Sequence, residues 1–106
     1  MPKYLIKASY SAEGVRGLRK DKASGRKAAV AAALEGLGGK LETMYYAFGD
    51  ADVFAIVEMP DNASIAAFSL TAAASGVTRT TTTALLTIEE ADAALEKTVN
   101  FRAAGK

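Results

Sequence analysis

Lys7, Tyr45, Glu58 and Arg79 are the polar side chains set among apolar neighbours whose types could do chemistry. A phenol and a cation beside a carboxylate can bind an anionic or phenolic small molecule, and a carboxylate whose pKa is raised by burial can move a proton. The plainer use of the same residues is an intersubunit ion pair with a hydrogen-bonded tyrosine, since subunit contacts enrich Tyr and Arg, and it carries the greater weight. A second grouping is Gly49-Asp50-Ala51-Asp52, which spaces two carboxylates two residues apart. A calcium loop needs a longer run of oxygen donors, and none follows. Gly49 and Asp50 are better read as turn residues, with Asp52 accepting backbone N–H groups at the tip.

Six cations, Arg16, Arg19, Lys20, Lys22, Arg26 and Lys27, crowd one stretch and could attract phosphate. A single-strand nucleic-acid platform needs aromatic side chains among the charges, and this stretch has none, so a solvated face is the reading and no nucleic-acid partner is expected. Gly38-Gly39-Lys40 has the letters of a phosphate loop, but it follows a helix and enters a strand, the reverse of the required order. Thr80 to Thr83 offers a ladder of hydroxyls, more often an edge strand than a cavity lining.

Composition excludes more than it assigns. The 106 residues contain no cysteine and no histidine, which removes disulfides, thiol nucleophiles and the commonest metal ligand and general base. No metal and no cofactor are expected, and haem is disfavoured because only tyrosine would be left to ligate iron. The apolar run in MPKYLIKASYS is too short for a secretory signal, and no segment approaches the ~20 apolar residues of a membrane span, so a cytoplasmic protein is expected. Net charge is only +1, yet Met1 to Lys40 holds nine basic and three acidic residues while the remainder holds four and nine. Half the residues are hydrophobic and roughly a fifth are alanine, which bury little area each. Domains of this kind make up the deficit by oligomerising.

The elements that must position these groups are organised around Lys40 to Asp61. Two runs rich in aromatic and β-branched residues flank the Gly49-Asp52 tip, predicting an antiparallel hairpin. With Phe48 opposite Val53, parity puts Met44, Tyr46, Phe48, Val53, Ala55 and Val57 on a core face and Thr43, Tyr45, Phe54, Ile56 and Glu58 on the other. Lys3 to Tyr10 reads as a first strand. Gly14, Gly17 and Gly25 each cost ~1 kcal/mol in a helix, so Ser11 to Ser24 is predicted as a short helix and a loop, with regular helix from Gly25. Val30, Ala33, Leu34 and Leu37 form its stripe, and Gly38-Gly39 ends it. Asp61 and Asn62 cap a second helix with the stripe Ile65, Phe68, Ser69 and Ala72, ending at Gly76. Val77 to Leu86 is the fourth strand. Thr87 to Glu90 is a capping box for a third helix to about Lys97. Residues 1–98 form a single domain and 99–106 an arm or tail.

Strand, helix, strand, strand, helix, strand is the split βαβ order of a ferredoxin-like α+β fold, with sheet order 4-1-3-2, both helices on one face and an extra C-terminal helix. The opposite face is left bare, and a homodimer or higher homo-oligomer joined through it is expected. FGDADV, the Pro60-Asp61 turn, the Gly76 helix stop and the threonine-rich strand together resemble the GYD-domain family of small bacterial proteins, from Tyr4 to about Phe101. The family motif Gly-x-Tyr-Asp falls on Gly49, Ala51 and Asp52, with Ala51 in place of the tyrosine. The resemblance implies the dimeric α+β barrel type and brings no reaction with it. The first functional reading is an oligomeric module that binds a small molecule in or beside the sheet, with Lys7, Tyr45 and Arg79 as ligand contacts. The alternative is a cofactor-independent monooxygenase- or isomerase-like enzyme, with Glu58 or Asp52 as base and Tyr45 as hydrogen-bond donor.

Overall fold

The computed structural model describes every residue from Met1 to Lys106. Its elements are β1 (Lys3–Tyr10), α1 (Ala12–Gly36), β2 (Lys40–Tyr46), β3 (Val53–Glu58), α2 (Asn62–Ala74), β4 (Thr78–Leu85) and α3 (Ile88–Glu96). The four strands form one antiparallel sheet in the order β2-β3-β1-β4, which is 4-1-3-2 read from the β4 edge. This is the ferredoxin-like α+β arrangement that the element order implies.

The alternation along β1 and β3 decides which face is covered. Tyr4, Ile6, Ala55 and Val57 point to the helices and are buried with Leu34 of α1, Ile65 of α2 and Met59. Val30, Leu37, Leu41, Met44 and Phe68 pack around this cluster. The second helix begins where Asp61 accepts a hydrogen bond from the Ser64 N–H at 2.8 Å, an interaction that holds the Asp61 carboxyl below the usual carboxylate range. Gly38 and Gly76 take positive φ at the ends of α1 and α2, where a side chain would be strained. Thr87 and Glu90 close a full capping box at the head of α3.

Two local readings differ from the structure. The short helix expected after Ser11 does begin at Ala12, where Ser11 Oγ accepts the Gly14 N–H at 3.1 Å and Gly14 is buried against Val77 and Tyr10, but it runs on to Gly36 with no loop before Gly25. A Cβ at Gly14 would run into the Val77 carbonyl, so here glycine permits packing that offsets its poor helix propensity. The loop expected within Ser11 to Ser24 is reduced to a kink at one residue of that stretch, Lys22, with φ 64° and ψ 166°. The hairpin register is also shifted: Val53 pairs with Tyr46, and Phe48 lies in the connection, 102 % exposed. Because the shift is two residues, the faces keep their parity. No residue of that connection takes positive φ. Asp52 instead ties it to β1, donating its N–H to the Ala8 carbonyl at 2.8 Å and accepting the Tyr10 N–H on Oδ2 at 2.8 Å.

The C-terminal segment leaves the body. Every residue of α3 is exposed except half-buried Ala91, and exposure continues through Val99 and Phe101. The radius of gyration is 16.8 Å, against ~13 Å for a compact chain of this length.

Lys22 occupies a backbone region that glycine alone enters without strain. Replacement by glycine removes the clash at its Cβ, and Lys22→Gly is expected to stabilise the fold by about 1 kcal/mol, with Lys22→Val destabilising it. Chemical denaturation reads this as a raised midpoint at constant slope; an unchanged or lowered midpoint would count against strain at Lys22.

Candidate functional site

The face of the sheet away from α1 and α2 is built from cross-strand rows. Thr83, Leu5, Ile56 and Thr43 form one, and Thr81, Lys7, Phe54 and Tyr45 the next. Arg79 follows, opposite Ser9, and at the other end Leu85, Lys3, Glu58 and Lys40 lie in register. Leu5 and Ile56 are half-buried, Phe54 is 37 % exposed and Tyr45 70 %. No helix covers them. An apolar centre edged by cations therefore lies open.

The residues proposed for chemistry divide on this surface. Lys7 and Tyr45 flank Phe54, and the Lys7 Nζ lies 6.0 Å from the Phe54 ring centroid, in cation–π range. Arg79 sits two residues along β4 from Thr81, the register partner of Lys7. Glu58 is four residues from Phe54 on β3, about 13 Å along the strand, and does not join the others. It lies instead near Lys3, whose pKa is raised first by its hydrogen bond to Glu42 at 2.7 Å and also by the Glu58 charge. Glu42 reaches Lys3 because a bulge between Leu41 and Thr43 makes room for an extra residue in β2. Asp52 is occupied by the Tyr10 N–H. Apart from Lys3–Glu42, the one other ion pair is Arg26–Asp21 at 3.8 Å, so Lys7 and Arg79 have no carboxylate partner within the chain.

The four threonines split by parity. Thr80 and Thr82 face α2, where Thr82 Oγ1 lies 3.1 Å from Ser69 Oγ, while Thr81 and Thr83 join the open face. As an edge strand paired only with β1, β4 offers hydroxyls to solvent on both sides.

A feature not read from the sequence lies under the helices. The Tyr10 and Tyr46 rings stack with centroids 6.5 Å apart and planes within 7°, and their hydroxyls are 3.2 Å apart. Their positions, 36 residues apart on strands that do not pair, give no local signal; only the sheet order brings them together. Burial pushes the Tyr46 phenol up from its ordinary value, the Tyr10 hydroxyl adds to the shift, and the Arg26 guanidinium pulls weakly the other way. Next to this pair, a cleft of about 690 Å³ opens between α1 and α2, floored by Tyr10, Val77 and Thr78. The kink at Lys22 wraps both halves of α1 around it.

Because the neutral Tyr46 phenol is favoured in the fold, its contribution to stability is complete below the ordinary phenol value of 10.0 and is lost as pH rises through the raised value. Ultraviolet titration should show one of the four tyrosines ionising last, in step with alkaline unfolding, and Tyr46→Phe should remove that final step. Four tyrosines titrating together would contradict the buried pair.

No helix of the chain is long and apolar enough to cross a membrane. No curated protein and no solved structure matches the chain. The GYD domain family matches residues 4–95, from the second residue of β1 to the last turn of α3. Within that span Ala51 is buried, and Asp52 makes the backbone latch to β1. The match covers all of the sheet but Lys3, together with α1 and α2, and the chain belongs to the GYD domain family.

Proposed function

We infer that the chain is a self-assembling binding module. A second copy closes the open sheet face, and a small anionic molecule is held there by Lys7 and Arg79 over the Phe54 and Tyr45 rings. The observation that supports this most directly is the pairing of an uncovered apolar centre, Leu5, Ile56 and Phe54, with two cations that have no carboxylate in their own chain. Apolar surface favours closure by another copy, and cations left in a partly closed chamber favour an anion over a neutral guest. Only 11 of the 106 residues are fully buried, although half are hydrophobic, so the isolated chain leaves much of its apolar surface wet. A binding role is preferred to proton transfer because Tyr45 has neither Glu58 nor a free Asp52 carboxylate beside it in one copy. The setting proposed is the bacterial cytoplasm, its bacterial part resting on the family resemblance.

Native mass spectrometry tests both halves of the reading. The wild-type chain should appear as multiples of its 11.0 kDa mass. Phe54→Asp should remove the sheet-face contact and lower the number of copies with the fold intact, because a charge on that face would be buried by assembly. Lys7→Glu with Arg79→Glu should release a retained or added anionic aromatic acid while the circular dichroism stays unchanged. A wild-type monomer at micromolar concentration, or anion binding indifferent to both charge reversals, would reject the module.

A further inference from the structure

Two features remain that the sheet face does not use, and each supplies what the other lacks. The first is α3. Ile88, Ala91 and Leu95 fall at i, i+3 and i+7 on one stripe, with Ile88 76 % and Leu95 83 % exposed. Glu89, Asp92 and Glu96 run along one flank of that stripe and Glu90 along the other, and none has a cation within ion-pair distance. The second is the cleft between α1 and α2. Its walls carry Leu18, Val30 and Phe68, all half-buried, and the charges lining it on α1 are Arg16 and Lys20, neither of them paired, Glu13, also unpaired, and the Arg26–Asp21 ion pair, so the lining is basic by one charge.

The spacings agree. Arg16 and Lys20 are four residues apart on a helix, as are Asp92 and Glu96, so both pairs are separated by about 6 Å along their axes. A helix laid in the cleft with its apolar stripe down would set its acidic flank against the basic rim of α1. Its other flank would meet the neutral polar groups of Thr71 and Ser75 on α2. This is the geometry of an amphipathic helix in a hydrophobic groove.

In one chain α3 does not lie in its own cleft: no residue of α3 lines it, and all but half-buried Ala91 are exposed. Strand β4 enters at Thr78, on the cleft floor, and leaves at Leu85, about 23 Å further along the sheet at ~3.3 Å per residue. From Leu85 to Ile88 the chain spans at most about 10 Å. The head of α3 therefore stays far from the cleft of its own body while β4 keeps its register.

We propose that α3 of one copy seats in the α1–α2 cleft of a second copy, with Ile88 and Leu95 against Val30 and Phe68, and Asp92 and Glu96 against Arg16 and Lys20. Reciprocal exchange around a two-fold axis makes two such contacts per dimer. The contact is independent of the open sheet face, and each can fail alone.

The test uses full-length chains. Arg16→Glu with Lys20→Glu should weaken self-association about tenfold, measured by light scattering over a dilution series, and Asp92→Lys with Glu96→Lys should do the same. Combining all four changes should restore wild-type association, because the pairs are exchanged and not removed. The chain has no cysteine, so single cysteines report the partner directly. An equimolar mixture of Leu95→Cys and Ala72→Cys chains should oxidise to a covalent heterodimer well above the level given by a control Ala63→Cys chain. Additive loss in the four-fold variant would overturn the proposal. So would a heterodimer no commoner than the control, or Leu95→Cys linking preferentially to Lys7→Cys on the sheet face. Displacement of the cleft contact by a small aromatic acid with the oligomer intact would assign the cleft to a ligand and likewise overturn it.

Discussion

Strands β1 and β3 carry apolar side chains in both directions, and the chain has helices enough to cover one direction only. Tyr4, Ile6, Ala55 and Val57 meet Leu34 and Ile65; Leu5, Phe54 and Ile56, the alternate residues of the same strands, meet no helix. A one-residue slip of either strand would exchange these sets, so the register that builds the core is the same one that exposes the opposite face. The placement of Lys7, Tyr45 and Arg79 follows from this constraint. They lie together because their partners across the ladder, Phe54, Thr81 and Ser9, share the parity of Leu5.

Much of this was legible from pattern. Alternation in Lys3 to Tyr10, the stripe Ile65, Phe68, Ser69 and Ala72, and the Thr87–Glu90 capping box each report a local rule that tertiary structure leaves in force. The misreadings fall where a distant contact overrides a local preference. Gly14 belongs in a helix because the Val77 carbonyl comes too close for any side chain, and Val77 is far away in sequence. The tip after Tyr46 is set by Asp52 bonding to Ala8 and Tyr10, not by residues tolerant of positive φ, so Phe48 falls outside the strand. Lys22 shows the same limit in reverse, since nothing in its type predicts that the helix breaks there instead of at a neighbouring glycine.

The candidate site was readable in its face and not in its grouping. Parity alone puts Tyr45 and Glu58 on the same outer surface of one strand pair, yet the four-residue step from Phe54 to Glu58 carries Glu58 beyond reach. The Tyr10–Tyr46 stack needs the full sheet order before it exists, because the strands that carry them, β1 and β2, lie on either side of β3. Residue types identify what chemistry is available, whereas proximity between elements is a property of topology.

Charge asymmetry along the chain acquires a use in this light. The segment to Lys40 is basic and the remainder acidic, and the fold separates the two ends: the cations of α1 border the cleft, while the acids of α3 stand on an arm that its own strand carries away from that cleft. Within one copy these charges are held apart, and in the proposed assembly their attraction would be satisfied between copies. Like ends repel, which disfavours pairing arm to arm or cleft to cleft and selects the reciprocal arrangement. Assembly on these terms is linked to folding by mass action. A chain that buries so few residues alone gains stability from any partner that covers the rest, and that gain grows with concentration.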